Sequence, residues 1–172
     1  MLATFKKLFA ARPDLLPKKI FSYDIEWLKP CDIRQIARLE LISFPEPLGF
    51  WELLWLWLMP ATTYITVKKE RQVVAYIGFQ IHGHAAHTIS MCVHPHFRRM
   101  GLGMIVQQTA DNIAGKLGAR WFTGEVRVSN TAQLKMLEEL GWQTIGECRS
   151  FFNNGEDCFV VWNWLYQEQE NR

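Results

Sequence analysis

Long apolar runs are missing from this sequence. The longest apolar-rich stretch, FWELLWLWLMP from Phe50 to Pro60, contains Glu52 and is far shorter than the roughly 20 residues that span a bilayer. We therefore expect no membrane span. The first residues, MLATFKKLFAARPD, have too short an apolar run and no small-residue cleavage pattern for a signal peptide, so we expect none.

A strong excess of charge and paired cysteines are missing as well. The formal net charge is +2, which is too small to indicate nucleic acid as the main partner, although a local basic patch could hold a phosphate-bearing ligand. The four cysteines, Cys31, Cys92, Cys148 and Cys158, form no C-x-x-C pair. Widely spaced cysteines favour reduced thiols over a disulfide framework, so we expect a cytoplasmic protein.

The sequence also has no repeats, low-complexity tracts or Gly/Ser linkers, which favours a single folded unit. Apolar residues make up 49% and charged residues 21% of the chain, as is usual for a globular protein. We predict a basic N-terminal extension over residues 1–20, broken by two prolines, and a single domain over residues 21–172. We interpret the extension as a surface helix packed on the domain, and membrane-surface or partner docking is the alternative.

Hydrophobic periodicity predicts the element order β-α-α-β-β-β-α-β-α-β-β. Antiparallel strands come first, and strand–helix–strand crossovers then supply parallel pairing. Asp32 is predicted to cap the first helix, and Ser129 or Asn130 the last one. Asn154-Gly155 is the typical signal of a tight turn between the final two strands.

The stretch VHPHFRRMGLG, from Val93 to Gly103, places two arginines and two glycines between a predicted strand and a predicted helix. The first amides of a helix have no intrahelical acceptor, and the helix dipole favours an anion there. Gly101 and Gly103 let a ligand approach the backbone, and Arg98 and Arg99 can add charge-assisted hydrogen bonds. The spacing matches neither the P-loop nor the dinucleotide fingerprint, so the stretch predicts another kind of phosphate site.

Two motifs resemble a known family. The spacing R-x-x-G-x-G at Arg98, Gly101 and Gly103, after a strand that ends in V-x-P, resembles the acyl-CoA pyrophosphate loop of the GCN5-related N-acetyltransferases. The segment GEVRVSNTAQLKMLEELGW, residues 124–142, looks like the E-V-R-x-S-N-x-x-A-x-x-L-Y-x-x-x-G-F stretch of the bacterial ribosomal-protein-alanine N-acetyltransferases. SFPEPLGFW and CRSFFNNGEDC also resemble segments of that subfamily, so the resemblance covers about residues 24–165.

The resemblance implies a fold and a co-substrate. The fold would be an α/β (α+β) mixed sheet, mostly antiparallel and twisted, with about seven strands and about four helices, splayed at the acyl-CoA site. The co-substrate would be acetyl-CoA, with no metal. Backbone groups would pair with the pantetheine arm, a loop would hold the pyrophosphate, and Asn130 would contact CoA or act as a plain helix cap. The implied cofactor residues are Met91, Cys92, Val93, Arg98, Arg99, Met100, Gly101, Leu102, Gly103, Met104 and Asn130.

The implied reaction is direct attack of a neutral primary amine on the acetyl thioester, in a ternary complex. A protein α-amine has a pKa near about 8, so the reaction needs a base or a proton exit. The motif match places Glu125 at the family's general-base position, and a carboxylate paired with Arg127 or a nearby lysine is the structural alternative. Leu137 stands where the subfamily has a tyrosine acid for the CoA thiolate. The thiolate then leaves unassisted, another group such as Cys92, His94 or water substitutes, or the chain binds acyl-CoA without efficient catalysis.

The acceptor side departs from the subfamily too. Phe151 and Phe152 replace its tyrosines, and Trp51 is expected to form another wall of the substrate cleft. We expect a protein N-terminal α-amine as the acceptor and a monomer or homodimer, and a small-amine acetyltransferase is the alternative. The stretch HGHAAH, residues His82–His87, is interpreted as a solvated turn rather than a metal site.

Overall fold

The computed structural model describes residues 15–16, 19–20 and 22–165, which form one eight-stranded sheet with four α-helices. The strands are β1 Lys19–Ile20, β2 Tyr23–Trp27, β3 Thr62–Lys69, β4 Gln72–His82, β5 Ala85–Val93, β6 Trp121–Arg127, β7 Gln143–Cys148 and β8 Cys158–Trp164. The α-helices are α1 Ile33–Leu41, α2 Phe50–Leu58, α3 Leu102–Lys116 and α4 Thr131–Glu139. The predicted element order is confirmed from β2 onward, and the two-residue β1 precedes it. Most of the predicted N-terminal extension lies outside the described residues, so its boundary stays a prediction.

The sheet is mixed and mostly antiparallel, as predicted. Its order is β1-β2-β3-β4-β5-β6-β8-β7, and every neighbouring pair is antiparallel except β5 with β6. The parallel pairing runs only from Ala85 with Trp121 to His87 with Thr123. Beyond these residues β5 continues beside β4, while β6 continues beside β8. The separation opens a gap in the sheet toward the carboxyl ends of both strands.

A β-bulge accounts for this gap. Phe79 pairs with Thr88 and Gly78 pairs with Ser90, which leaves Ile89 as an extra residue in β5. A bulge bends the strand that carries it and increases the local twist. Because the bulge lies two residues beyond His87, the last β5 residue paired with β6, β5 turns away from β6 at that point.

Helices cover both faces of the sheet over separate apolar cores. α3 and α4 pack on one face, where Phe122 and Ile113 are fully buried and Leu137 is nearly so. α1 and α2 pack on the other face around Ile36 and Leu53. The gap between β5 and β6 therefore opens in a sheet that carries a helix layer on each face.

A buried carboxylate ties α1 to the strands beside the gap. Glu40 accepts hydrogen bonds from the Tyr76 hydroxyl, from Ser90 Oγ at 2.6 Å, and from the Leu48 N–H at 2.8 Å. Burial, together with the charge of Glu40, raises the pKa of Tyr76, so this hydroxyl remains a donor. These bonds satisfy the buried charge and fix the α1–α2 connection relative to β5.

Asp32 occupies the N-cap position of α1, as predicted, but its side chain makes no capping hydrogen bond to that helix. A short 3-10 helix over Pro30–Asp32 leads into α1, so the backbone of Asp32 is already helical. Its carboxylate accepts the Lys29 N–H at 2.9 Å and contacts the Lys68 ammonium at 2.8 Å. The Asp32 side chain therefore joins the start of α1 to β3 instead of capping the helix.

The tight turn predicted at Asn154-Gly155 is part of a longer loop. β7 ends at Cys148 and β8 begins at Cys158, so residues 149–157 connect them. Within this β7–β8 loop the Gly155 N–H donates to the Phe152 carbonyl at 2.8 Å, and Gly155 has a φ of 81°. The turn is centred on Asn153-Asn154 with Gly155 after them, so the two-residue turn predicted at Asn154-Gly155 was wrong. The two strands still pair with each other as predicted, up to Cys148 and Cys158.

Candidate active site

The loop between β5 and α3 presents backbone amides at one edge of the gap. It contains a 3-10 turn at Pro95–Phe97, and Arg98 Nε donates to the Val93 carbonyl at 3.1 Å. Gly101 precedes α3 with a φ of 78°, in the left-handed region that favours glycine. No side chain among the described residues caps α3, which begins at Leu102, so its first amides are available to an anion.

Glycine is required at positions 101 and 103 for different structural reasons. A Cβ on Gly101 would meet no described atom within 4 Å, so its positive φ is the constraint and its surroundings are open to a ligand. A Cβ on Gly103 would lie 2.8 Å from Met136 Sδ, so Gly103 lets α3 approach α4. Arg99 also has a positive φ, of 60°. Non-glycine residues rarely adopt that conformation, and such strain is concentrated at binding loops.

Three predicted cofactor residues, Met91, Cys92 and Val93, lie on the part of β5 that has left β6. The backbone of a strand with one free side can pair with an extended ligand as with an added strand. The Cys92 side chain packs in the core under α1 and α2, and burial raises its pKa to about 11. Leu137 lies in the core on the opposite face of the sheet. Cys92 therefore does not stand in for the absent acid.

Glu125 lies on β6 beside the gap and forms a pair with His87 of β5. Glu125 Oε2 is 3.2 Å from His87 Nε2, and the two side chains are 23% and 43% exposed. On the other side of the ring, His87 Nδ1 is 2.9 Å from Thr123 Oγ1. The hydrogen bond to Glu125 raises the pKa of His87, because the carboxylate stabilises the imidazolium.

Sequence reasoning missed His87. The stretch HGHAAH was interpreted as a turn, but β5 begins at Ala85, and His87 is the last β5 residue paired with β6. The continuous run AAHTISMCV, with its β-branched residues, was the signal for a longer strand. His82 and His84 contact Gln80 and the Gly118 carbonyl instead, so the three histidines do not converge.

A cavity extends from Glu125 beneath the gap toward α3 and α4. Its wall includes Leu137, which is 3% exposed and supplies only carbon atoms. The lining residues are Thr88, Gln107, Gly124, Glu125, Val126, Gln133, Leu137, Trp142 and Val161. Glu125, the predicted base, and Leu137, which replaces the subfamily's tyrosine, therefore line the same cavity.

Two glutamines of this cavity are held by fixed partners. The Asn130 side chain caps α4 by accepting the Gln133 N–H, as predicted, and Asn130 Nδ2 donates to Gln133 Oε1 at 2.8 Å. Gln107 Nε2 donates to Asp111 Oδ1 at 2.9 Å, and the Trp142 indole donates to the same carboxylate. Burial raises the pKa of Asp111 to about 6. Nothing in the sequence pattern had distinguished Asp111 from an ordinary helix carboxylate.

Arg127, two residues after Glu125, is the centre of a second group that we call the Arg127 cluster: Arg127, Glu46, Phe152, Asn154 and Glu156. The guanidinium contacts Glu156 at 2.9 Å, Asn154 at 3.1 Å and Glu46 at 3.4 Å, and its carbon lies 3.6 Å from the centre of the Phe152 ring. The alternative that Arg127 pairs with Glu125 was therefore wrong, because Arg127 is engaged with these groups and Glu125 with His87.

The Arg127 cluster joins three segments of the chain. Glu46, from the α1–α2 connection, also accepts the N–H groups of Asn153 and Asn154 at 3.3 and 2.8 Å. Glu156, from the β7–β8 loop, accepts the N–H and hydroxyl of Ser129, which precedes α4. One wall of the gap is therefore built from residues distant in sequence.

The predicted acceptor residues are only partly brought together. Phe152 stacks on Arg127. Phe151 is 50% exposed, and its ring centre lies 5.1 Å from that of Phe152 in an edge-to-face arrangement. Trp51 lies at the start of α2, is 76% exposed and contacts its neighbour Phe50. Its role in an acceptor wall stays a prediction.

Two further observations concern the described part of the chain. No helix there is long and apolar enough to cross a membrane. The same residues contain no group of three or more His, Cys, Asp or Glu side chains arranged to hold a metal ion.

The fold and motifs agree with a family match. Residues 31–142 match the profile of the acetyltransferase (GNAT) family, which is more than half of the chain. The chain belongs to this family and is an acetyltransferase.

Several proteins of known sequence or structure are similar to this chain. A Bacillus subtilis (strain 168) protein, provisionally assigned as a ribosomal protein bS18-alanine N-acetyltransferase, is 27% identical over 136 residues, which are 76% of this chain and 88% of the relative. An N-alpha-acetyltransferase of Sulfurisphaera tokodaii is 22% identical over 157 residues, 84% of this chain and 94% of the relative. The crystal structure of the ribosomal-protein-S18-alanine N-acetyltransferase of Escherichia coli superposes with a TM-score of 0.78 at 20% identity, over 87% of this chain and 98% of that chain. At this identity the structural likeness confirms the fold alone.

Proposed function

We propose that this chain transfers the acetyl group of acetyl-CoA to a protein N-terminal α-amine, by direct attack in a ternary complex. The observation that carries the proposal is the Glu125–His87 pair at the mouth of the β5–β6 gap. His87 lies on β5 and Glu125 on β6, at the point where the two strands separate and the free edge of β5 begins. The similarity to a protein provisionally assigned as a ribosomal protein bS18-alanine N-acetyltransferase and to an N-alpha-acetyltransferase supports the choice of acceptor.

Acetyl-CoA would bind along the free edge of β5. Its pantetheine amides would pair with the backbone of Met91 to Val93, and its pyrophosphate would accept hydrogen bonds from the amides of Arg99 to Met104. The open left-handed turn at Gly101 and the uncapped start of α3 support this placement. Asn130 is already engaged as a helix cap, so a contact with CoA would add to that role.

Glu125 would accept the proton that the amine loses. Its Oε2 is occupied by His87, so the amine or a bridging water would use Oε1. His87 Nε2–H can donate to Glu125 both in the imidazolium and in one neutral tautomer, because Thr123 Oγ1 can accept from Nδ1 or donate to it. The pair therefore holds the carboxylate in one orientation.

The chemical step then balances without a metal or a covalent enzyme intermediate. The amine nitrogen bonds to the acetyl carbon, the C–S bond breaks, and CoA leaves as a thiolate. The proton released by the amine passes through Glu125 to solvent. Since Leu137 carries no donor, we propose that the thiolate departs without a side-chain acid at that position.

Leu137→Tyr tests this last point. We expect no gain in kcat, and a loss of stability of about 1–3 kcal/mol, because a larger side chain must fit a buried position. Thermal unfolding and steady-state rates are measured together. A tenfold rise in kcat in the folded variant would show that protonation of the leaving group limits the reaction.

The acceptor is tested with matched peptides and polyamines. The assay uses acetyl-CoA, a peptide with a free N-terminus, the same peptide with a blocked N-terminus and a free lysine, and spermidine. We expect one acetyl group on the free α-amine, located by mass spectrometry. Acetylation of spermidine alone would identify a small-amine enzyme, and no turnover with any amine would contradict the proposal.

A further inference from the structure

Two of the four cysteines meet in the sheet. Cys148 is the last residue of β7, Cys158 is the first of β8, and the two are direct cross-strand partners. Opposed residues of antiparallel strands have Cα atoms about 4.5 or about 5.5 Å apart. Disulfides form at Cα separations of about 4.4–6.8 Å. Directly opposed side chains point to the same face of the sheet, with Cβ atoms about 4.5–5.5 Å apart, so a small local adjustment reaches the roughly 3.5–4.5 Å that a disulfide needs.

The two thiols differ in their access to solvent. Cys148 is exposed, whereas Cys158 is buried. Removal from water raises the pKa of Cys158, which disfavours its thiolate and shields it from reagents in solution. An oxidant therefore reaches Cys148 first, and Cys158 lies directly opposite to resolve the product.

We propose that Cys148 and Cys158 form a reversible disulfide when the chain meets a small disulfide oxidant such as oxidised glutathione. Cys148 attacks the oxidant, and one glutathione leaves as a thiol while a mixed disulfide forms. Cys158 then attacks the Cys148 sulfur, and the second glutathione leaves as a thiol. Two protein thiols become one disulfide and the S–S bond of the oxidant becomes two thiols, so electrons and protons balance.

This bond would close the base of the β7–β8 loop. Residues 149–157 lie between the two cysteines and carry Phe151 and Phe152. Cys158 is also the cross-strand partner of Arg127, the centre of the Arg127 cluster. A covalent tie at this point restricts the conformations open to the loop. If the proposed function holds, oxidation also changes the KM for the acceptor and leaves the Kd for acetyl-CoA unchanged. This effect rests on the proposed function, whereas formation of the disulfide does not.

The primary test needs no acetyltransferase activity. The chain is treated with oxidised glutathione, alkylated without reductant, digested and analysed by mass spectrometry. We expect a peptide pair linked through Cys148 and Cys158, which disappears on reduction. The Cys31→Ser variant, which lacks the other exposed thiol, keeps this link, and Cys148→Ser loses it.

The buried partner supplies a second variant. In Cys158→Ser the reaction is expected to stop at glutathione attached to Cys148. If the unaltered chain also accumulates glutathione on Cys148 without a link to Cys158, or if both thiols remain free to alkylation after oxidation, the proposal is wrong. Because these readouts are masses, failure of the acetyltransferase proposal would leave this result interpretable.

Discussion

The two sides of the β5–β6 gap are built in different ways. The side proposed to hold acetyl-CoA consists of backbone groups from one continuous stretch, the end of β5 and the loop before α3. The side proposed to hold the acceptor consists of side chains from three separate segments, which meet at Arg127. Glu125 and His87 lie between them. Substitutions on the two sides should therefore affect different substrates.

The largest expected effect comes from the centre of the gap. Glu125→Gln keeps the shape of the side chain but removes its basicity. We expect kcat/KM to fall by roughly 10²-fold or more, the usual contribution of a general base. Calorimetric titration with unreactive desulfo-CoA serves as the control, because its Kd should not change. Turnover equal to that of the unaltered chain would remove Glu125 from the mechanism.

The next effect is on the acceptor side. Arg127→Ala removes the group on which Phe152 stacks and leaves Glu46 and Glu156 without their cation. We expect a loss of about 2 kcal/mol in the free energy of unfolding, the size of lost hydrogen bonds to a charged group. The KM for the acceptor should rise while the Kd for acetyl-CoA stays constant.

Arg127→Lys is the matched variant for this position. It keeps the charge but loses the planar fork and the stacking surface, so it should not restore acceptor KM. If acetyl-CoA binding weakens as much as acceptor binding in either variant, the two sides of the gap are not separate.

A smaller effect is expected on the cofactor side. Gly101→Val places a β-branched side chain at a φ of 78°, which costs about 1–2 kcal/mol. The Kd for acetyl-CoA should rise, because the loop must rearrange to relieve the strain. Gly146→Ala is the control, since a Cβ there meets no described atom within 4 Å. Equal acetyl-CoA binding by both variants would argue against the loop as the pyrophosphate site.

The smallest effect is the pH dependence contributed by His87. Its pKa is raised in the folded chain by the hydrogen bond to Glu125, the titratable group in contact with it. The pair therefore stabilises the folded state fully below the unfolded histidine pKa of about 6.5, and this stabilisation is lost as pH rises through the folded pKa.

His87→Gln should accordingly lower Tm more at acid pH than at alkaline pH. Because the ring is partly exposed and screened by solvent, the difference should be only roughly 0.2–1 kcal/mol. Thermal unfolding of both proteins across the pH range measures it. A difference that grows with increasing pH would mean that His87 is not stabilised as an imidazolium.

The acetyl-CoA side of the gap could largely be predicted from the sequence, and the acceptor side could not. The strand–loop–helix at Val93 to Gly103 was recognisable because local backbone rules govern it, and the left-handed Gly101 confirms its local geometry. The element order was predictable because strand and helix periodicities differ. The bulge at Ile89 that opens the gap was not predicted, since the bulged strand has no glycine or proline at that point and Gly78 lies on the partner strand.

The side-chain groups were not predictable, because they depend on tertiary contacts. Glu46, Arg127 and Glu156 meet across more than half of the chain, and sequence spacing gives no hint of their distances. The sequence had offered Arg127 as a partner for Glu125, since the two share a face of β6. In the structure Glu125 instead pairs with His87, which lies on a different strand.

The most direct test of this account is calorimetric titration of the purified chain with acetyl-CoA, beside desulfo-CoA and ATP. We predict micromolar binding of acetyl-CoA and similar binding of desulfo-CoA, with ATP much weaker, because recognition should come from the free edge of β5 as well as from the phosphate loop. If acetyl-CoA gives no binding heat at any temperature at which the chain is folded, the backbone-built side of the gap is not a cofactor site.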